Sequence, residues 1–164
     1  MHGKALKYLL VECVGSGIVS GILNLGAAYL LFHGRGPIPT GGSKGLIQDL
    51  IGETFLVTFL SYLVAALLAR QRRRAGTLPA TDGQRPPRAV NIYLWSFGVG
   101  LLFTLVLVPS NAWLLPRVFP DGLSFRQVLL FKTLFGAVFG SIATGLAISR
   151  ALSEAHISPE ASKH

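Results

Sequence analysis

Four stretches of this chain are each more than twenty residues long, predominantly apolar and nearly free of charge, and they constrain the fold more than any other feature. They run over about 8–32, 48–69, 91–115 and 125–148. A helix crosses the hydrocarbon core of a bilayer with about 20 apolar residues, so each is long enough to span it. Backbone amides in hydrocarbon must be satisfied within the segment, which makes helices the expected conformation. Composition agrees. Charged residues are 13% of the 164, against about a quarter in soluble domains. The expected fold is an all-α membrane protein, a single domain of four transmembrane helices arranged as two helical hairpins.

The segments between the spans read as loops. Residues 33–47 hold Gly34, Gly36, Pro37, Pro39, Gly41 and Gly42, a density that ends helices. Residues 70–90 carry Arg70, Arg72, Arg73, Arg74, Arg85 and Arg88 with three prolines, which predicts a solvated basic loop, and 149–164 form a short polar tail. Pro109, followed by Ser110 and Asn111, predicts a kink or an end in the third span. The first span begins after Lys4 and Lys7, as a signal peptide would. However, Glu12 interrupts its apolar run, which then continues to Phe32, so it reads as a retained helix.

Orientation follows from lysine and arginine placement. Ten of these residues fall on the side that holds both termini and the 70–90 loop, and four, Arg35, Lys44, Arg117 and Arg126, fall on the other. The termini are therefore expected in the cytoplasm. The net charge of +8 is then a matter of topology, and no nucleic-acid partner is expected. The run Arg70, Arg72, Arg73, Arg74 lies where anionic lipid headgroups would meet it.

Charges inside the spans are the candidate functional groups, because an ionisable side chain at the centre of a span is unfavourable by about 2.5–3.5 kcal/mol on insertion scales. Glu53 and Lys132 each lie about five residues inside their spans, roughly 7–8 Å below the outer end at 1.5 Å per residue. Shifting the second span by 79 positions lays Gln48, Leu50, Thr54 and Leu67 on Gln127, Leu129, Thr133 and Leu146, and sets Glu53-Thr54 against Lys132-Thr133. This hints at a repeat and places the two charges at one depth. They are expected either to pair as a helix-fixing salt bridge or to form a polar site toward the outer face with Thr54, Thr133, Gln48, Gln127, Asn111, Asp49 and Ser110. Glu12, about one turn inside the first span, is expected to pair with Arg70, Arg150 or another nearby basic side chain, to reach the interface by snorkelling, or to act as a coupling carboxylate. Asn24 needs a partner in hydrocarbon and should face another helix. Gly17-x-x-x-Gly21 and Gly136-x-x-x-Gly140 are small-residue patterns suited to close helix packing within the chain or between copies.

Several chemistries have no support. No histidine lies within a span, and the single cysteine, Cys13, has no partner for a disulfide or ligand set. There is no HExxH, P-loop or dinucleotide fingerprint. Ser16 in Gly15-Ser16-Gly17 has no placed base. No enzyme activity, metal or cofactor is expected.

The start Ala5-Leu6-Lys7-Tyr8-Leu9-Leu10, the stretch from Phe32-His33-Gly34-Arg35 to Gly52-Glu53-Thr54, and Leu123-Ser124-Phe125 through Phe131-Lys132-Thr133-Leu134-Phe135 together resemble a group of small four-helix bacterial inner-membrane proteins. Those are known mainly as hypothetical proteins or permeases. The resemblance implies a multi-pass protein of the bacterial inner membrane and no particular substrate. Glu12-Cys13-Val14-Gly15, Tyr93-x-Trp95 and Gly98-x-Gly100 also resemble fragments of the small multidrug resistance transporters, which would make Glu12 the proton and drug site. The Tyr–Trp spacing and the long loop after span two depart from that pattern. The expected role is a non-catalytic accessory or binding membrane subunit, alone, as a homodimer or in a larger membrane complex. The alternative is a small oligomeric transporter or permease using Glu12 or the Glu53/Lys132 level.

Overall fold

The structure is a computed structural model and describes residues 3–42, 45–77 and 91–153. It holds four long helices: α1 (Gly3–Phe32), α2 (Leu46–Arg74), α3 (Ile92–Val118) and α4 (Phe125–Ser153). All four are long and apolar enough to cross a membrane. The protein is an all-α, four-helix membrane protein.

The helices overrun the spans expected from hydropathy, because polar residues at a membrane boundary need not end a helix. Arg70 to Arg74 are the last turns of α2, not the start of a loop. Basic residues there suit the negative end of the helix dipole. Helix α3 also continues, through Pro109 and Pro116, to Val118. Proline cannot donate the bond to the carbonyl one turn back. Next to Pro109, Ser110 Oγ donates to the Val106 carbonyl (2.6 Å) and Asn111 Nδ2 to the Leu107 carbonyl (2.8 Å). At the start of α3, Asn91 caps by accepting from the Tyr93 amide. Ser124 and Gln127 form a reciprocal capping box at the start of α4, the Gln127 Oε1 accepting from the Ser124 amide at 2.8 Å. Lys44, Arg85, Arg88 and Lys163, and with them much of the expected basic loop and tail, lie outside the described residues.

Packing does not follow chain order. Helix α4 is central, with α1 along one side and α2 along another, and α3 leans on α2. The consecutive helices α1 and α2 meet little, so the two hairpins of the chain are interleaved rather than laid side by side. Helix α3 reaches α4 through single side-chain contacts, such as the edge-on pair Phe103–Phe139. Most of the surface of α1 and α3 is exposed apolar side chain, including Leu23, Leu30, Leu94 and Leu105. In lipid such faces are solvated and supply no drive to associate.

Close packing therefore rests on small residues. Gly17, Gly21, Gly136 and Gly140 all lie in the α1–α4 seam. A Cβ added at Gly136 would stand 2.9 Å from the Ser20 carbonyl oxygen and closer still to Asn24 Nδ2, and one at Gly21 would stand 3.2 Å from the Thr133 carbonyl oxygen. The backbones are in near contact, which only glycine allows. Asn24 is buried and donates to the Ser20 carbonyl on its own helix (2.8 Å), lying against Gly136 of α4.

At the end of the bundle away from the helix termini α1-start and α4-end, two loops are pinned together. Ile38 and Leu123 exchange both backbone hydrogen bonds, at 2.8 and 2.9 Å. Gly122 permits this with φ +85°, and a side chain there would strike the Ile38 carbonyl. Ile38 and Leu123 sit in one apolar cluster with Phe32, Leu46, Leu50, Leu115 and Val128.

Candidate functional site: a lysine between two carboxylates

Directly beneath that cluster lies a group of charges. Asp49 falls in the first turn of α2 and Glu53 one turn later, so both project from the same face. Lys132, about two turns into α4, points at them. Its Nζ donates to Asp49 Oδ2 and stands 2.9 Å from Glu53 Oε2. The Lys132 side chain is 1% exposed, that of Glu53 8% and that of Asp49 26%. The ammonium also lies over the Phe32 ring, 5.3 Å from its centroid, an arrangement that favours a cation. The α2–α4 contact thus holds one buried positive charge against two negative ones.

Glu53 and Lys132 meet, as one of the two outcomes expected from their shared depth. The partner that sequence reasoning ranked too low is Asp49. Its i, i+4 relation to Glu53 was a readable signal, since residues four apart share a helix face. Nothing in the sequence pointed to Phe32. Of the other residues expected at this level, Thr54 is fully buried on the next position of α2. Thr133 is half-buried and bonds its own helix at Leu129, with its methyl toward Gly21 of α1. Gln48 is exposed, and Gln127 is exposed and committed to the α4 cap. Asn111 and Ser110 bond their own helix on α3, which packs on α2 and not around the lysine. The site is therefore narrower than a ring of polar groups around the outer level. The polar residues nearest the helix ends are used in capping and backbone bonding instead.

At the opposite end, Glu12 pairs with Arg72. The Arg72 Nη1 also donates to Tyr8 Oη at 2.9 Å, and the guanidinium lies over the Tyr8 ring. Arg73 donates to the Ala151 carbonyl of α4. Two of the four arginines expected to meet lipid headgroups are thus engaged within the bundle, while Arg70 and Arg74 are exposed. The Glu12–Arg72 pair links α1 to α2, but Arg72 is 39% and Glu12 24% exposed. Water screens such pairs, so Glu12→Gln is expected to change stability by only about 0–1 kcal/mol. Thermal melting in mild detergent measures this, and a loss of several times that size would show the pair to be far better shielded than its exposure indicates.

No family model and no solved structure matches the chain. Among curated proteins it is similar to the probable potassium transport system protein Kup 1 of Geobacter sulfurreducens, at 32% identity over 113 residues that cover 62% of this chain and 18% of that protein. The chain therefore spans less than a fifth of the length of that relative.

Proposed function

We propose that the protein is a small permease-type membrane protein in which Asp49, Glu53 and Lys132 take up a proton or a monovalent cation. It acts without catalysis, in the bacterial inner membrane, as a homodimer or part of a larger membrane complex, since four helices alone enclose little space. One observation carries the reading. A salt bridge that only fixed helix positions would need one carboxylate for Lys132, yet two are present, and the second, Glu53, is 8% exposed. Intramembrane charge is unfavourable unless compensated, and where it persists it commonly marks an ion or proton site. The similarity to a protein named for potassium transport points to the same class. The accessory-subunit reading has its own supporting observation: Lys132 touches both acids directly, which ties α2 to α4.

The two readings part at Glu53→Gln, which leaves the Asp49–Lys132 pair in place. The purified protein, reconstituted in vesicles loaded with a pH-sensitive or a potassium-sensitive dye, is expected to move one of these ions down its gradient. Glu53→Gln is expected to lower that flux by about tenfold or more, a barrier change of about 1.4 kcal/mol, without loss of folded protein. A parent protein that moves neither ion, or a variant as active as its parent, would leave the accessory role as the better account.

A further inference from the structure

The seam between α1, α2 and α4 is polar along its length, from the lysine cluster at one end to the Glu12–Arg72 pair at the other. Thr144 Oγ1 of α4 donates to Ser16 Oγ of α1 at 2.6 Å. The hydroxyls of Ser20 on α1 and Ser61 on α2 are 3.2 Å apart. Thr144 Oγ1 also lies 3.5 Å from the Ser61 carbonyl, which sets the two pairs side by side. A carbonyl passes no proton, so the hydroxyl link between the pairs is Ser16 to Ser20, one turn apart on α1. Ser16 is one turn from Glu12, and Asn24, one turn beyond Ser20, lies against Gly136, itself one turn from Lys132. On α2 the buried positions Thr54 and Thr58 continue the same face from Glu53 toward Ser61. Among the described residues, Glu53 Oε1 and the fully buried Thr54 Oγ1 have no hydrogen-bond partner, so two buried polar atoms at the head of the seam are free to bond.

The dimensions of the seam select what it can carry. A potassium ion must exchange its hydration shell for a ring of oxygens. Here α1 and α4 are in near backbone contact at Gly21 and Gly136, closer than a side-chain methyl would allow. A hydroxyl both donates and accepts, so a chain of them can pass a proton by rotating, with no widening. Turns of helix are about 5.4 Å apart, a gap that one bridging water closes. Glu53 and Ser61 stand two turns apart, so that stretch needs a water on each side of the Thr58 hydroxyl, which donates to the Thr54 carbonyl at 2.6 Å.

We infer that the ion moved along this seam is a proton, relayed between Glu53 and Glu12 through the hydroxyls of Ser61, Ser20, Ser16 and Thr144, and not an alkali metal ion. The relay rests on the permease reading and names its substrate. Glu53 takes the proton from water at its own end of the seam, the hydroxyls pass it on, and Glu12, 24% exposed, releases it to water at the other end. The hydroxyls then rotate back before the next proton enters.

The test uses full-length protein in vesicles holding a pH-sensitive dye, with a potassium-sensitive dye in a parallel set and flux scaled to folded protein. Proton flux by the parent is expected, with about a tenfold loss in Ser16→Ala, Thr144→Val and Ser20→Ala. Thr144→Ser keeps its hydroxyl and is expected to keep its flux. Ser110→Ala, on the exposed face of α3, is expected to match the parent. If Thr144→Val does not fold, Ser16→Ala and Ser20→Ala read the same path. Proton flux that survives loss of the seam hydroxyls would overturn the relay and leave the permease reading standing, and so would potassium flux without proton flux. A parent that moves neither ion would overturn both.

Discussion

Lys132→Met is expected to destabilise the protein by about 3–5 kcal/mol, the usual effect of leaving a buried charge without its partner. The change removes the cation that contacts two carboxylates on α2, one of them 8% exposed. Denaturant or thermal melting in mild detergent reads the loss. The triple change Asp49→Leu, Glu53→Leu, Lys132→Met is expected to recover most of it, because replacing a whole buried ion cluster with apolar groups of similar volume is often neutral. Changing one acid alone should be milder than changing the lysine, since the remaining carboxylate still neutralises it. A Lys132→Met protein that melts with its parent would mean that the three side chains do not share a dry site.

The second large effect is expected at Gly136. An alanine there places a methyl 2.9 Å from the Ser20 carbonyl oxygen and against the Asn24 amide. Backbone cannot rotate out of the way, so α1 must move off α4, at about 1–3 kcal/mol for an overpacked contact. Asn24→Ala in the same protein removes the side-chain part of the clash and leaves the carbonyl part, so recovery is expected to be partial. Gly15, with open space around the corresponding position, is the control: Gly15→Ala should leave the melting temperature unchanged or slightly raised. Equal losses at Gly15 and Gly136 would contradict a seam built on close α1–α4 approach.

Much of this architecture was legible before any coordinates. The bilayer requires helices of a minimum length without free backbone groups. Four apolar runs separated by glycine, proline and arginine therefore specify four spans, and the small residues at 17, 21, 136 and 140 stand out against long aliphatic neighbours. The shared depth of Glu53 and Lys132 could be read from their distance to the span ends. Helix ends were less legible. Arg70 to Arg74 look like a loop by hydropathy, yet a helix leaving the membrane has water to solvate its side chains and no reason to stop. Pro109 and Pro116 resemble breaks, yet neighbouring Ser110 and Asn111 bond the carbonyls of their own helix.

What the sequence by itself determined is thus the number of spans, their approximate length and the depth of each buried charge, since these follow from a one-dimensional pattern of apolar runs against a bilayer of set thickness. Only the tertiary structure decided which helices are neighbours. It put α4 at the centre, brought Asp49 as well as Glu53 to Lys132, and joined Glu12 to Arg72 across two helices that otherwise meet little. The reason is that α1 and α3 expose apolar side chains over most of their surface, and along the middle of α1 only the narrow stripe Glu12, Ser16, Ser20 and Asn24 is polar. In water an amphipathic pattern would mark the inward face, but lipid solvates every apolar face equally. The choice of neighbours then falls to close fit and to a few polar pairings, which the chain reveals only when its helices are set side by side.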